Sequence, residues 1–497
     1  MDLETLLSFP WGIMAPEFTI LIVATVLSLL DLFLKEKIDR KLLGWLALGG
    51  ILVALVFLVR QLGSPVQMIL YDTYRLDGFS IAFKFILLIG AALVMIMAID
   101  YKKKEIEYRG EFFYLLLTAL LGGMIMSSSA DLITLFVGLE LLSLSSYILA
   151  GIMKKDLQSN EAAMKYVING GIATAITLFG LSYIYGLTGF TNLFEIAQTL
   201  ADPNVLENAF LLYFAFFLVF VGLVFKIAAA PFHMWAPDVY QGSPTPVAAF
   251  LSVVSKTAGF AIILRLLFVI FSATPGLQYS YLVFDTSMYV VAIAIVTMIV
   301  GNIMALRQEN VKRMFAYSSI AQAGYILVPI ATLNMLMYET LWFYLVAYLF
   351  MNIGAFAVLQ LVTEQTNSSN ISSFAGLGKK SPILALLMGL FLISLAGIPI
   401  SAGFIGKYYI FIGAISVGFY WTAGIMIATS IISYFYYFRV LGQMYFRPNY
   451  DSKPITVPIG MYVVLFICAI GTFGLGLFPN VLIDFMNTYL DFSQILQ

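Results

Sequence analysis

Residues 222–246 read GLVFKIAAAPFHMWAPDVYQGSPTP, and the reading of this stretch decides the rest. It follows a run of apolar residues, so it begins inside a membrane span. Yet it holds Lys226, Pro231, Asp238 and the single histidine of the chain, His233. Proline has no backbone N–H and clashes with the carbonyl four residues back, so Pro231 opens the helix at Ile227. Freed backbone at membrane depth is tolerated only where it faces protein or a water-filled cavity. The stretch therefore predicts a broken span with ionisable groups beside the break. If 231–240 continues the crossing as a second half-helix, Lys226 lies near the middle of the membrane. No Lys or Arg stands between Lys226 and Lys256. Every other cytoplasmic connection has at least two, which favours the half-helix. His233 is then expected on the path from Lys226 towards Lys256.

The composition supports a membrane reading independently. The chain has 497 residues, 61% hydrophobic and 11% charged, where a soluble domain carries roughly 25% charged residues. This is an all-α polytopic membrane protein. A net charge of −1 leaves no nucleic-acid footprint. One cysteine, Cys468, and one histidine exclude a four-residue Cys/His metal site or an iron–sulfur cluster within the chain. No glycine-rich phosphate loop follows a predicted strand, so neither a metal nor a cofactor site is expected here. Any redox electrons must travel elsewhere. Residues 1–18, MDLETLLSFPWGIMAPEF, carry acids and no early basic residue. They lack the form of a cleaved signal peptide, so the first span is expected to be retained.

A hydrocarbon core of ~30 Å needs about 20 apolar residues as a helix. That rule places about fourteen spans, near 16–34, 41–60, 76–99, 112–128, 131–152, 160–187, 209–240, 244–270, 281–306, 312–331, 338–363, 381–415, 417–445 and 455–479. The seventh and twelfth are too long for one straight crossing, and each carries an internal proline, Pro231 and Pro399. Basic residues test the numbering. They follow odd-numbered spans at Lys35, Lys37, Arg40 and Lys41; at Lys102, Lys103, Lys104 and Arg109; at Lys154 and Lys155; at Arg307, Lys312 and Arg313; at Lys379 and Lys380; and at Arg447 and Lys453. Arg60 and Arg75 alone follow an even-numbered span. The positive-inside rule puts the odd connections in the cytoplasm and both termini outside. The longest loop, 188–208, is outside and acidic. No loop is long enough to be a soluble domain.

Seven basic residues remain within spans: Lys84, Lys165, Lys226, Lys256, Arg265, Lys407 and Arg439. Arg265 and Arg439 lie near helix ends and are read as snorkelling to the interface. Lys165 also lies near an end, one helical turn after Glu161, where a Glu–Lys pair gives local support. Lys84 admits a structural or a functional reading. Lys226, Lys256 and Lys407 differ, because they lie beyond snorkelling reach. Glu140 is the one carboxylate read as deep in a span. Each such group costs roughly 2.5–3.5 kcal/mol at a helix centre. Four of them cost on the order of 10 kcal/mol, comparable with the stability of a whole domain. Ion pairing alone accounts poorly for three lysines against one carboxylate. Desolvation disfavours an ammonium and a nearby carboxylate favours it, so a lysine whose partner comes and goes can load and release a proton. That is the chemistry of a pump element.

The two proline-broken spans are five apart. Interrupted spans at matching places in two halves suggest inverted repeats with a transport site at the midplane. The expected organisation is a three-helix segment over 1–110, a first five-helix repeat over 111–270 (spans 4–8), a second over 281–446 (spans 9–13), and a last helix and tail over 447–497. An odd number of helices per repeat forces opposite orientation.

Three long motifs now carry a resemblance. KIAAAPFHMWAPDVYQGSPTPVAAFLSVVSK (226–256) resembles the seventh-to-eighth helix signature of the antiporter-like subunits of respiratory complex I, the proton-pumping NADH:quinone oxidoreductase, in its subunit N form. NVKRMFAYSSIAQAGYI (310–326) is similar to the family's ninth-to-tenth helix signature, and AGIPISAGFIGKYYIF (396–411) to its broken twelfth helix. The similarity runs over essentially the whole chain. It implies that Glu140 and Lys226 act as an interacting pair, that Lys256 is the central relay, and that Lys407 is the terminal proton station. The related subunit M carries a glutamate there, so the lysine favours N. Lys165, Glu161 and His233 would be accessory links. Members often have a histidine where this chain has Gln322, so a relay there would pass through water held by Gln322, Ser318 and Ser319. The resemblance further implies that FMN, iron–sulfur clusters and quinone sit in partner subunits. It implies neighbouring membrane subunits, indirect contact with a peripheral redox arm, and a bacterial cytoplasmic membrane or an equivalent. The nearest alternative is a subunit of a multi-subunit cation/proton antiporter, which shares the fold. A purely structural subunit and a stand-alone solute transporter are more distant readings.

Overall fold

The computed structural model describes residues 8–35, 38–101, 109–279, 281–334, 336–448 and 454–495. Lys37, Lys102, Lys103, Lys104 and Lys453, counted above for orientation, lie outside the described residues. The chain is a bundle of membrane-length helices: α1 (Ala15–Phe33), α2 (Lys41–Arg60), α3 (Gly78–Ile99), α4 (Arg109–Ser128), α5 (Leu132–Ala150) and α6 (Leu157–Thr188) come first. Span 7 is broken into α7a (Ala209–Lys226) and α7b (Trp235–Gly242). Then follow α8 (Thr245–Phe271), α9 (Leu282–Leu306), α10 (Val311–Thr332) and α11 (Met337–Thr366). Span 12 is again broken, into α12a (Pro382–Ala396) and α12b (Ala402–Ser416), before α13 (Tyr420–Phe446) and α14 (Ile459–Leu477). Among the described residues, 13 helices are long and apolar enough to cross a membrane. The broken twelfth span supplies its crossing as two shorter apolar helices.

Helix ends follow local chemistry. Asp77 caps α3 in a reciprocal box with Ser80, and Asp131, Asp156 and Asn310 cap α5, α6 and α10 by accepting from first-turn N–H groups. Gly189 closes α6 at φ 76, a left-handed position that costs glycine nothing. One feature escaped the span rule. Gln67–Ile69 and Tyr74–Leu76 form a short antiparallel hairpin, β1 and β2, with Met68 opposite Arg75.

Burial sorts the helices into an inner and an outer set. α8 is buried along its whole length, α10 all but Arg313, and α11 nearly so. α1, α6, α13 and α14 leave most of their surface outward, where Leu29, Ile172, Phe435 and Phe466 are exposed. Such surface suits lipid or a neighbouring subunit and would be costly in water. α4 packs on α5 as α9 packs on α10, and α6 packs on both halves of span 7 as α11 packs on both halves of span 12. Within α8, the turn Leu251–Ser255 is π-helical and ends directly at Lys256. Such bulges shift the side chains that follow them around the helix and gather at functional positions.

Several expected placements change. Arg265 does not snorkel. It is fully buried, its guanidinium pairs with both carboxylate oxygens of Asp77, and it donates to the Ser127 carbonyl at 2.8 Å. Arg75 is buried in the same cluster, at 3.0 Å from Asp77. Its cost is offset by this pairing rather than by reaching water. Lys312 is not in a connection but in the first turn of α10, donating to the Ser243 carbonyl at 2.8 Å. Lys84 takes the structural reading, paired with buried Glu17 at 2.6 Å and donating to Tyr74 Oη at 2.8 Å. Glu17 and Asp77 are buried carboxylates at helix starts, whereas Glu140 lies at the middle of α5. Arg439 is exposed and reaches the Gln308 carbonyl at 3.1 Å, as an interfacial arginine does.

Candidate functional site

Lys226 is the last residue of α7a. The helix stops there, five residues ahead of Pro231, because the chain turns at Ala228 (φ 58). Proline disfavours helical backbone in the residue before it as well as forbidding the bond behind it, so unwinding begins upstream. Several of the groups freed by the break find partners. The Ala229 N–H reaches the Val224 carbonyl at 3.1 Å, and the Trp235 indole N–H reaches the Phe225 carbonyl at 3.1 Å. The Ala230 N–H donates to Thr297 Oγ1 of α9 at 2.9 Å. The break in span 12 is built otherwise: Gly397 (φ 85) and Ile400 (φ 75) flank Pro399, and Ser401 caps α12b.

Lys226 is buried, and its Nζ donates to Ser143 Oγ at 2.9 Å. Ser143 lies one turn after Glu140 on α5. Glu140 is only half-buried in this chain, and its Oε1 accepts from Thr174 Oγ1 at 2.8 Å. No direct ion pair joins Glu140 and Lys226 among the described residues. Each instead bonds a hydroxyl, Thr174 and Ser143 respectively, and both hydroxyl residues line one small cavity. Gly259 of α8 lets the Lys226 stem approach: a Cβ there would stand 3.3 Å from Lys226 Cγ and 2.8 Å from Ile227 Cγ2.

Lys256 follows the π-helical turn on a helix with no lipid-facing side. Its Nζ donates to the Ser319 carbonyl and to Ser319 Oγ, both at 2.7 Å. Tyr240 of α7b reaches the same Oγ at 3.3 Å. Lys407, on α12b, donates to the Leu395 and Ala396 carbonyls at 3.0 Å each. These are carbonyls that the end of α12a leaves without helical partners. Its Nζ also lies 4.7 Å from the Tyr325 ring centroid. Gln322 stands one turn after Ser319 and donates to the same Leu395 carbonyl at 3.0 Å, while its amide oxygen accepts from Tyr344. Ser318 bonds to Tyr437 instead. Two hydrogen-bonded clusters, Lys256 with Ser319 and Lys407 with Gln322 at the Leu395 carbonyl, thus stand one helical turn apart along α10.

The three lysines share one property. Each amine rests on neutral oxygens, with no carboxylate at ion-pair distance among the described residues. A neutral acceptor serves an amine and an ammonium alike, so neither protonation state is locked in by a fixed counter-charge.

The expected accessory residues fall elsewhere. Lys165 pairs with Glu161 at 2.6 Å and Asp238 at 2.5 Å, and Asp238 also takes Arg313. With the Lys165 side chain 42% exposed, this is a surface network tying α6, α7b and α10 together. His233 is half-buried on the turn between α7a and α7b, and its Nδ1 has no hydrogen-bond partner. The structure brings neither residue to Lys256. What sequence reasoning missed are hydroxyls: Ser143, Thr174, Tyr240, Tyr344 and Tyr437. The one available signal was Ser143, three residues after Glu140 on one helix face.

Residues 129–433 match the family model described as NADH:quinone oxidoreductase/Mrp antiporter, TM. Over its full length the chain is 56% identical to NADH-quinone oxidoreductase subunit N of Anoxybacillus flavithermus, covering 100% of each. The chain belongs to the NADH-quinone oxidoreductase subunit N family. A chain of respiratory complex I from Thermus thermophilus superimposes with a TM-score of 0.79 at 32% identity, over 94% of this chain and 98% of that one. A chain of the Mrp complex from Dietzia sp. gives a TM-score of 0.82 at 19% identity, over 98% and 99% of the two chains, and so shares the fold alone. The matched region spans both broken helices and Lys226, Lys256 and Lys407.

Proposed function

We propose that the chain is a proton-translocating membrane subunit of a bacterial NADH-quinone oxidoreductase, coupling electron transfer in partner subunits to proton movement through its own buried stations. The observation that carries this reading is the row Lys226, Lys256 and Lys407. These are three buried amines on two broken helices and one π-interrupted helix, with the Lys256 and Lys407 clusters one helical turn apart along α10, at Ser319 and Gln322. Lys256 is the central relay, Lys407 the terminal station, and Lys226 the station modulated by Glu140. Ser318 supports the path by fixing Tyr437. Lys165, Glu161 and His233 are accessory: the first two brace α6 against α7b, and the third lies beside the break.

The chain itself performs no redox step. FMN, iron–sulfur clusters and quinone belong to partner subunits of the complex. Its partners are other membrane subunits, including antiporter-like ones, with the peripheral arm acting indirectly. Residues 111–270 and 281–446 act as two inverted repeats, supported by the matching helix pairs in each half. Both termini lie outside the cytoplasm, supported by the clusters of basic residues on odd connections.

Affinity purification of the tagged chain from its native membrane tests the assignment. NADH-oxidising, flavin-containing subunits should co-purify with it. Recovery with cation/proton antiporter subunits and no flavin would favour the alternative.

A further inference from the structure

We propose that Tyr166 and Ser255 form a hydroxyl bridge, completed by a buried water, that carries protons between Lys226 and Lys256; this rests on the proton-translocating reading above. From Lys256 to Lys407 the polar groups follow closely on one another, at Ser319, at Gln322 one helical turn on, and at the Leu395 carbonyl. Between Lys226 and Lys256 no such succession exists among the described residues, and neither His233 nor Lys165 fills the gap.

Beside Lys226, on its α5 and α6 side, is a small cavity lined in part by Ser143, Tyr147, Tyr166 and Thr174, with about 10 Å³ open to a water's centre. That is roughly the room one water requires, and the wall is polar enough to hold it. Tyr166 is almost fully buried and its hydroxyl lies beside that of buried Ser255; the contact between them is loose, and neither oxygen has a well-formed hydrogen bond to any other group. Buried hydroxyls are nearly always paired, so two that meet only loosely keep hydrogen-bonding capacity for a bridging water. Ser255 is the last residue of the π-helical turn, immediately before Lys256. Tyr240, whose hydroxyl reaches Ser319 beside Lys256, lies close to Tyr166 as well.

The ring of Tyr166 is held from two sides. It stacks on Trp235 at 4.5 Å between centroids and meets Tyr147 edge-on at 4.6 Å. Trp235 is the residue that caps α7a through the Phe225 carbonyl. The bridge is therefore anchored to the break itself. In the proposed step the Lys226 ammonium gives its proton to the cavity water. That water passes a different proton to the Tyr166 oxygen as the phenolic proton leaves towards Ser255 and the neutral Lys256 amine. Each oxygen gains one proton and loses one, so tyrosine is never ionised.

The test uses the assembled oxidoreductase in vesicles, with NADH-driven proton uptake and its H₂O/D₂O ratio as readouts. Tyr166→Phe keeps the ring stack and removes the hydroxyl; Ser255→Ala removes the other half. Each is expected to slow proton uptake by about a hundredfold, the low end of what a positioned proton-transfer group contributes. Each should also raise the solvent isotope ratio, and the double variant should be no slower than the worse single one. Tyr185→Phe, on the outward face of the same helix, should match wild type. Wild-type uptake in Tyr166→Phe or Ser255→Ala would overturn the bridge. Lys256→Ala separates the two levels: if it too pumps normally, the translocation reading fails first.

Discussion

Removing Asp77 should destabilise the chain far more than removing an ordinary helix cap. Its carboxylate accepts from Arg75 Nε at 3.0 Å, from Arg265 Nη2 at 3.1 Å and Nη1, and from the Ser80 N–H at 2.7 Å. Asp77→Ala leaves two buried guanidiniums without a counter-charge. Breaking a buried pair in this way costs about 3–5 kcal/mol. Loss of the α3 cap adds about 1 kcal/mol. The sum, about 4–6 kcal/mol, is a large part of the ~5–15 kcal/mol that holds a protein folded. Asp131→Ala is the reference, because Asp131 only caps α5, through the Ile133 and Thr134 N–H groups at 2.8 and 3.2 Å. It should cost about 1 kcal/mol. Unfolding of the purified chain in mixed micelles by added SDS measures both. If the two variants differed by less than about 1 kcal/mol, Arg265 would be reaching solvent and the buried cluster would be wrong.

Gly259→Ala puts a Cβ 2.8 Å from Ile227 and 3.3 Å from Lys226. It should reduce proton uptake by the assembled complex, whereas Gly171→Ala, with nothing within 4 Å, should not. Thr297→Val orphans the buried Ala230 N–H and should cost roughly 1–3 kcal/mol in the same SDS titration, with Thr297→Ser restoring most of it. Lys84→Met or Glu17→Leu alone strands one buried charge, at about 3–5 kcal/mol each; the double variant should be milder than either, since an apolar pair replaces an ion pair at little net cost.

The span pattern was legible because a bilayer imposes one length on every crossing, and because Pro231 and Pro399 mark spans too long to be straight. The lysines were legible for a related reason. At the centre of a span an amine cannot snorkel, so Lys226, Lys256 and Lys407 had to be buried. Arg265 was not legible. An arginine near a helix end has two low-cost outcomes, water or a buried acid, and its acid is Asp77, 188 positions away in sequence. The environment of Glu140 was half legible: its depth along the helix was clear, but not that it faces partly outward. The hairpin at 67–76 was hidden because its three-residue strands lack a run long enough to alternate. The hydroxyls of Tyr166, Tyr240 and Tyr344 were invisible for a different reason. In a chain with 29 tyrosines, nothing in the sequence separates a tyrosine at a polar path from one at an interface.

The central claim is that protons cross on the buried lysines. Proton uptake per NADH oxidised, measured in vesicles carrying the assembled complex with Lys226→Ala or Lys256→Ala in this chain, tests it most directly. The account predicts that both variants assemble and that each loses most of the linked oxidoreductase activity and proton uptake. Wild-type pumping and activity in both, with assembly intact, would contradict it.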